Sequence, residues 1–404
     1  MHPIIRALAR HKLPAMIIVV EVAMACAVVS NTLYLLSTFA SRVNLSTGMD
    51  GDDVLWLRSS GLPTTGTPTS SDEADAVAVR GAAHVRHVAR VSALPLTNTA
   101  SYRFKVGVDG DDVDIAGTAA GMYLWGKGAV QALGVRLMSG RDFLPEEYVE
   151  FSPFSDGPAP ASVLITRALA VRLFGSVDAV GRRLRLQLNG QPSATVVGVI
   201  DDLLSPSLRH GGDDANQVIL PVLRVPGGLL VVRAERSHAS QALDAAKRAL
   251  FGVSHARILT KAELFSQTEH EYFRGDRSMI WTLAMISAFL TLLTAISIVS
   301  ISNYWLIQRR RSIGIRRALG ARRSQIIAHF LAENLVVVAS GAALGLAGAV
   351  VLNTAMMRWF EVGRMPASWL IWIVLLLLGL GQAAVIMPAW RASRIHPGAI
   401  AAGG

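Results

Sequence analysis

The chain has a single cysteine, Cys26, placed inside an apolar run, so no disulfide within the chain can stabilise it in any compartment. No pair of histidines falls at His-x-x-x-His spacing and no Cys-x-x-Cys exists; His84, His87, His210, His238 and His255 are scattered, which excludes the common zinc patterns. The Gly-x-Ser-x-Gly elbow of serine hydrolases is missing as well. Charge is scarce, at 17% of residues, against 51% hydrophobic residues and a mean hydropathy of +0.40. That balance excludes an ordinary soluble protein.

What is present is four apolar stretches: Ala15–Phe39, Met279–Ile307, Ile326–Leu352 and Ser368–Met387. Each is long enough to cross a hydrocarbon core of about 30 Å, which takes about 20 helical residues. The first is about twice as long as a signal-peptide apolar region and lacks a clean small-x-small cleavage pattern, so it reads as a retained anchor. Acids are missing from three short segments. Residues 1–14 hold three Lys/Arg, residues 309–325 hold seven, and residues 388–404 hold Arg391 and Arg394, with no Asp or Glu in any of them. Residues 40–277 carry 25 Lys/Arg against 26 Asp/Glu. Short positive segments remain in the cytoplasm while long domains cross largely regardless of charge. Both termini and segment 309–325 are therefore expected inside, and residues 40–277 outside. The net charge of +10 is a topology signal and no indication of nucleic-acid binding.

The expected organisation is a cytoplasmic N-terminus (1–14), a first span (15–39) and a large extracytoplasmic domain with stalk ends (40–277). A second span (278–307), a cytoplasmic coupling loop (308–325), a third span (326–352), a short outer loop (353–367), a fourth span (368–387) and a cytoplasmic tail (388–404) follow. The fold class is thus a membrane protein of four transmembrane α-helices with a large α+β domain between the first two. Inside that domain, Ser70 with Glu73 reads as a capping box ahead of a helix. Lys105–Ile115 reads as two strands around Asp109-Gly110, and Leu184–Ile200 as a hairpin around Asn189-Gly190. Val163–Ile165 reads as a strand leading into a helix capped by Thr166. Gln217–Leu223 and Leu229–Arg233 read as strands, Ser240–Phe251 as a helix, and 61–72 and 151–161 as mobile loops. Residues 264–279 could continue the second span outward as a helical stalk.

Several chemistries are tempting and weak. Gly121-Met-Tyr-Leu-Trp-Gly126-Lys127-Gly128 approaches a nucleotide-binding loop, but Gly128 stands where Ser or Thr would hold magnesium, so it reads as an accidental turn. The pairs Asp111-Asp112, Asp201-Asp202 and Asp213-Asp214 read as solvated turn residues. Within the spans, Glu21, Glu333 and Gln382 are polar groups at membrane depth, where carboxylates are costly. Pairing of the two acids with arginines of the loop or tails is the structural reading, and a proton path would need more such groups. Gly341 and Gly345 form a Gly-x-x-x-Gly pair that suits close helix packing, either within one chain or between two.

The strongest signal is the arginine-rich segment. Arg309, Arg310, Arg311, Arg316, Arg317, Arg322 and Arg323 frame Ile313, Gly314, Ile315, Ala318, Leu319 and Gly320. Positions 315, 318, 319 and 326 share a face at helical spacing. Gly314 and Gly320 are expected to break a single long helix into short amphipathic turns. Retention in the cytoplasm explains the arginine count but does not require the order Ile-Gly-Ile and Ala-Leu-Gly-Ala. An apolar ridge rimmed by guanidiniums suits a groove with acidic walls on another protein.

Arg311-Ser-Ile-Gly-Ile-Arg-Arg-Ala-Leu-Gly-Ala-Arg-Arg-Ser-Gln-Ile resembles the cytoplasmic signature of MacB/FtsX-like ABC transporter permeases, and Leu331-Ala-Glu333 resembles the start of that family's third helix. Pro388-Ala-Trp-Arg-Ala-Ser-Arg-Ile-His-Pro397 resembles its ending, with Ser393 replacing the usual second Ala. Leu133–Phe143, Ala179–Leu184 and Thr195–Asp201 resemble motifs of the MacB-type extracytoplasmic core. The resemblance implies a non-enzymatic permease subunit of a bacterial inner-membrane export or efflux complex. It would have no cofactor of its own, since ATP would be bound by a separate cytoplasmic ABC ATPase. It also implies a second permease chain, identical or paralogous, and admits a periplasmic adaptor and an outer-membrane channel. The lipid bilayer is a further partner and nucleic acid is not. Only about fourteen residues precede the first span, so an N-terminal ATPase domain of the MacB kind is not expected here. A lipoprotein-releasing permease, or a regulatory or sensor permease controlling a periplasmic partner, shares this layout.

Overall fold

A computed structural model describes residues 12–61, 68–99, 102–110, 117–153, 159–188, 193–208, 213–225, 227–255, 257–318, 322–360 and 363–393. The chain divides into two compact units, Leu45–Arg274 and Met1–Asn44 with Gly275–Gly404.

The second unit is built from four helices: α1 (Lys12–Val43), and, later in the chain, α7 (Arg274–Ala318), α8 (Arg323–Phe360) and α9 (Ala367–Ser393). Each contains a window long and apolar enough to cross a membrane. Lipid tails are as apolar as Leu, so helix association in a membrane depends on close packing and hydrogen bonds more than on burial from water. The α1–α8 contact uses both. A Cβ added at Gly341 would lie 2.8 Å from Val22 Cβ, and one at Gly345 would lie 2.4 Å from Cys26 Cβ and 2.7 Å from the Ala23 carbonyl oxygen. The Gly-x-x-x-Gly face is therefore occupied within the chain. Asn31 Nδ2 donates across the same seam to the Ala349 carbonyl at 3.1 Å. Ile18, Val22, Ile298, Phe330, Val337 and Val385 gather in the core between the helices. Gly345→Leu is expected to separate α1 from α8, since backbone blocks the new side chain; overpacking of this kind costs about 1–3 kcal/mol or more. Graded SDS unfolding of the full chain measures it, and unchanged stability would contradict the packing described.

The first unit is α+β. Its strands are β1 (Val54–Gly61), β2 (Val85–Val91), β3 (Tyr102–Val108), β4 (Thr118–Trp125), β5 (Leu137–Gly140), β6 (Ser162–Thr166), β7 (Arg183–Leu186), β8 (Ser193–Ile200), β9 (Gln217–Pro221), β10 (Leu229–Ala234) and β11 (Arg257–Leu264). Its helices are α2 (Pro68–Arg80), α3 (Ala129–Leu133), α4 (Arg167–Phe174), α5 (Ala239–Val253) and α6 (Phe265–Tyr272). β11-β1-β10-β2 form an antiparallel sheet. With α2 between β1 and β2 and α5 between β10 and β11, this is a split βαβ arrangement. Strand periodicity decides its two faces. Leu55, Leu57, Leu230 and Val232 pack in one core with Ala242, Ala246 and Leu250 of α5. Val54, Trp56 and Val231 pack in another with Tyr123 and Trp125.

Everything from β3 to β9 is inserted between β2 and β10. There β4, β3, β7, β8, β6 and β9 pair in succession, and β9 returns to pair with β4, closing a six-stranded barrel. Val106, Met122, Ile165, Leu184, Val196 and Val218 share its apolar core. Closure removes exposed strand edges without any disulfide. The β7–β8 hairpin pairs Leu184 with Ala194, as the alternation predicts; the turn at Asn189-Gly190 lies outside the described residues, as do 62–67 and 154–158. The second strand expected after Asp109-Gly110, at 111–115, lies outside the described residues, and the next described strand begins at Thr118. Helix α2 begins at Pro68, before the expected cap at Ser70, because Pro is preorganised for the first helical turn.

Candidate functional site

The arginine-rich segment departs from the sequence expectation in one important respect. Helix α7 runs for 45 residues from Arg274 to Ala318, continuing through Gly314. A glycine inside a helix costs roughly 0.5–1 kcal/mol relative to alanine, which a long helix tolerates. At 1.5 Å per residue α7 is roughly 68 Å long, more than twice the hydrocarbon core. Leu319, Gly320 and Ala321 lie outside the described residues, and α8 starts at Arg323, so residues 308–318 and 323–325 are helical where a loop of 308–325 was expected. Of the positions expected to share a face, 315 and 318 lie on α7 and 326 on α8, and 319 lies outside the described residues. Ile326 belongs to α8, is 6% exposed and packs in the membrane unit's core.

The charge placement is asymmetric. Arg316 and Arg317 fall in the last turn of α7, where a cation complements the helix dipole. Arg322 and Arg323 stand at the start of α8, whose first turn has no acid. Each opposes the dipole there by about 0.3–1 kcal/mol. Both are exposed. Gln325 Oε1 accepts the Arg322 backbone N–H at 3.0 Å and closes the helix start in place of an acid. Local helix energetics therefore explain Arg316 and Arg317 and leave Arg322 and Arg323 without an intramolecular reason among the described residues.

At membrane depth, Glu333 is 2% exposed and its carboxylate lies 3.5 Å from Nε2 of His329, one turn earlier on α8. That partner was not anticipated; the sequence reading looked to the arginines. Its neighbour Asn334 donates Nδ2 to the Gly381 carbonyl at 3.0 Å. Gln382 brackets the same turn of α8, donating to the Leu331 carbonyl and accepting from the Leu335 N–H, both at 3.2 Å. Asn334 and Gln382 thus bond across the α8–α9 seam, while half-buried Glu21 makes no ion pair among the described residues.

In the outer unit the nucleotide-loop look-alike dissolves. Gly121 to Trp125 form the second half of β4, with Tyr123 and Trp125 0% and 1% exposed, and Gly128 turns at φ +78 into a five-residue helix. The Asp201-Asp202 pair is structural. Asp202 Oδ2 accepts from Arg167 at 2.6 Å and its Oδ1 accepts the Ala168 N–H at 2.7 Å, capping α4. Thr166 occupies the N-cap position, but its hydroxyl instead donates to the Ala215 carbonyl at 2.6 Å. Asp213 pairs with Arg172 and Asp214 with Arg103. Asp111-Asp112 and His210 lie outside the described residues.

The motifs singled out in Leu133–Phe143 and Thr195–Asp201 meet one another. Gly140 faces Gly198 in the β5–β8 register. A Cβ on Gly140 would come within 2.3 Å of the Val197 carbonyl oxygen, and φ there is +79. The adjacent Arg141 grips Glu147 through two bonds of 2.7 and 2.8 Å. Glu147 also accepts from the Leu144 N–H and the Ser162 hydroxyl, each at 2.7 Å. The Arg141 guanidinium, with these further donors, holds the Glu147 carboxyl at about 2, below its ordinary 4.5. A depressed carboxylate pKa stabilises the fold above the unfolded value and loses that stabilisation as pH falls from about 4.5 through about 2. Glu147→Gln should therefore cost on the order of 2 kcal/mol at neutral pH, after allowance for solvent around Arg141, and should flatten the acid limb of the stability profile. Urea unfolding between pH 2 and 7 reads this out; a variant with the wild-type profile would refute it.

Sequence spacing missed one constellation. His84, Glu235 and His238 converge, with their ligand-capable atoms all within 4.8 Å of one another. Glu235 and His238 are three residues apart between β10 and α5, and His84 reaches them from the α2–β2 turn, 151 residues earlier than Glu235. The neighbouring His84 lowers the Glu235 carboxyl pKa, so the group is ionised at neutral pH.

Comparison with known proteins places these features. The family profile described as the MacB-like periplasmic core domain matches residues 16–250, and that of the FtsX-like permease C-terminal matches 284–397. A macrolide export ATP-binding/permease protein MacB of Nitrobacter winogradskyi is 30% identical over 265 residues, covering 60% of this chain and 38% of the relative. A protein of the same description from Bordetella avium is 26% identical over 322 residues, covering 75% and 44%. The chain thus spans less than half the length of either relative. Among solved structures, the periplasmic region of MacB from Actinobacillus actinomycetemcomitans aligns at 11% identity over 57% of this chain and 97% of its own, with a TM-score of 0.34.

Proposed function

The chain belongs to the MacB/FtsX-like ABC transporter permeases, multi-pass membrane transport proteins that work with ATPase partners, and from that premise we propose that it converts ATP hydrolysis by a separate cytoplasmic ATPase subunit into motion of its outer unit. The observation that carries this reading is the unbroken α7, which starts at the last residue of the outer unit and ends inside the arginine segment. A helix is stiff over this length, so a displacement imposed at one end is delivered to the other. A loop with two glycine hinges would absorb it.

In this reading residues 309–323 dock on the ATPase, and the arginines at the start of α8 find in its acidic groups the counter-charge that the first turn of their own helix lacks. Both termini face the cytoplasm of a bacterial cell and the outer unit faces the periplasm, an orientation supported by the three acid-free basic segments. The working assembly is a pair of permease chains, identical or paralogous, on a pair of ATPases, with a periplasmic adaptor and an outer-membrane channel completing an export route. The relatives are described as macrolide export proteins, and in this reading the cargo is moved by the outer unit and does not pass between the four helices. The test is co-expression of the full chain with the ABC ATPases of its source organism in turn, purification in nanodiscs and measurement of ATP hydrolysis with and without the chain. Stable association with altered hydrolysis is expected for one of them; a set in which none associates or changes its rate would remove the reading.

A further inference from the structure

We propose that His84, Glu235 and His238 form a binding site on the outer unit for one divalent transition-metal ion of the zinc, copper and nickel class. Two imidazoles and one carboxylate are a donor set that these ions favour, and three protein ligands leave a fourth position for water. His84 Nδ1 is 3.0 Å from Glu235 Oε2, a separation that two ligands of one ion can share. The rings of His84 and His238 stack at 4.5 Å with planes 9° apart, which keeps the two imidazoles side by side. The three residues are exposed or half-buried, so an ion and its water can enter.

The backbone holds the ligands in place. His84 sits at φ +61 and Ser237 at φ +64, in the left-handed region that residues other than glycine seldom adopt. The Glu235 N–H donates to the His84 carbonyl at 2.9 Å, and the His238 N–H donates to the Glu235 carbonyl at 3.0 Å. His238 Nδ1 faces the Arg236 carbonyl at 2.9 Å, which leaves its Nε2 as the free donor atom. A bound ion would staple the start of β2 to the β10–α5 corner, in a domain that has no disulfide to do so. Arg86, whose charge reaches Glu235, opposes the ion and limits its affinity.

The test uses the full chain in nanodiscs, purified without a polyhistidine tag and titrated with zinc in equilibrium dialysis. One zinc per chain is expected. His84→Asn, which keeps a residue tolerant of the left-handed backbone, should weaken binding at least tenfold, as should Glu235→Gln and His238→Ala. His87→Ala and His255→Ala, outside the cluster, should bind as wild type. Circular dichroism of each variant separates loss of the site from loss of the fold. Cobalt in place of zinc should give visible absorption of a low-coordinate site in the wild type and lose it in His84→Asn. No stoichiometric binding at micromolar zinc, or equal binding by a His84→Asn/His238→Ala double variant, would overturn the proposal.

Discussion

Replacing Arg316 and Arg317 together by glutamate is expected to abolish co-purification of the ATPase while leaving the permease inserted and folded. The two substitutions turn two charges at the end of α7 from positive to negative. Their effect on the helix itself is small, since reversing a charge near a helix terminus changes stability by about 0.3–1 kcal/mol per site. Disrupting a buried charge pair at an interface costs about 2–5 kcal/mol, and two such losses weaken association by about three orders of magnitude at the low end of that range. The magnitudes therefore separate the explanations: a merely retentive role for the arginines predicts wild-type association, and a docking role predicts none. Arg316→Lys with Arg317→Lys keeps the charge but not the planar fork, and an intermediate affinity is expected. Pull-down from detergent extracts, with expression checked by immunoblot, distinguishes these outcomes.

Gln308→Pro is expected to leave the ATPase bound and to uncouple it. Gln308 is exposed on α7, and its amide nitrogen lies 2.7 Å from the Tyr304 hydroxyl, so its side chain can change at little packing cost. Proline there removes a backbone hydrogen bond and clashes with the carbonyl four residues earlier, kinking the helix at a cost of about 3 kcal/mol or more. The kink falls between the apolar window ending at Tyr304 and the arginines. Binding contacts survive while stiffness is lost, so nucleotide-dependent changes in the outer unit should disappear. Gln308→Ala, which loses the same side-chain contact, should remain coupled. Equal coupling in the proline and alanine variants, read from hydrogen exchange of 45–274 with and without ATP, would mean that force does not travel along α7.

The two spatial surprises have the same physical origin. Four spans and the β7–β8 hairpin are visible in the sequence because their signals are local: apolar length, alternation and turn chemistry. β1 is harder to recognise, since Val54, Leu55, Trp56 and Leu57 are all buried between two layers and show no alternation. Gly314 taken by its own propensity is a helix breaker, yet one glycine's cost is small against a helix of 45 residues. The Gly-x-x-x-Gly seam was legible as a close contact, but only the packing of Val22 and Cys26 against it identifies the partner as α1. His84 meets Glu235 and His238 because β2 pairs with β10 across the whole inserted barrel. Spacing rules based on neighbouring residues cannot register that contact. The left-handed backbone at His84 and Ser237 is likewise set by the tertiary fold.

The central claim, that ATP hydrolysis moves the outer unit through α7, is tested most directly by spin-label distances between two copies in the assembled complex. Val180, 41% exposed on the barrel, is a suitable position for Val180→Cys in a background with Cys26 replaced. Double electron–electron resonance with and without trapped nucleotide should show a shifted distance distribution in the wild-type sequence and no shift in Gln308→Pro. Identical distributions in the two nucleotide states, while the bound ATPase turns over, would contradict the account.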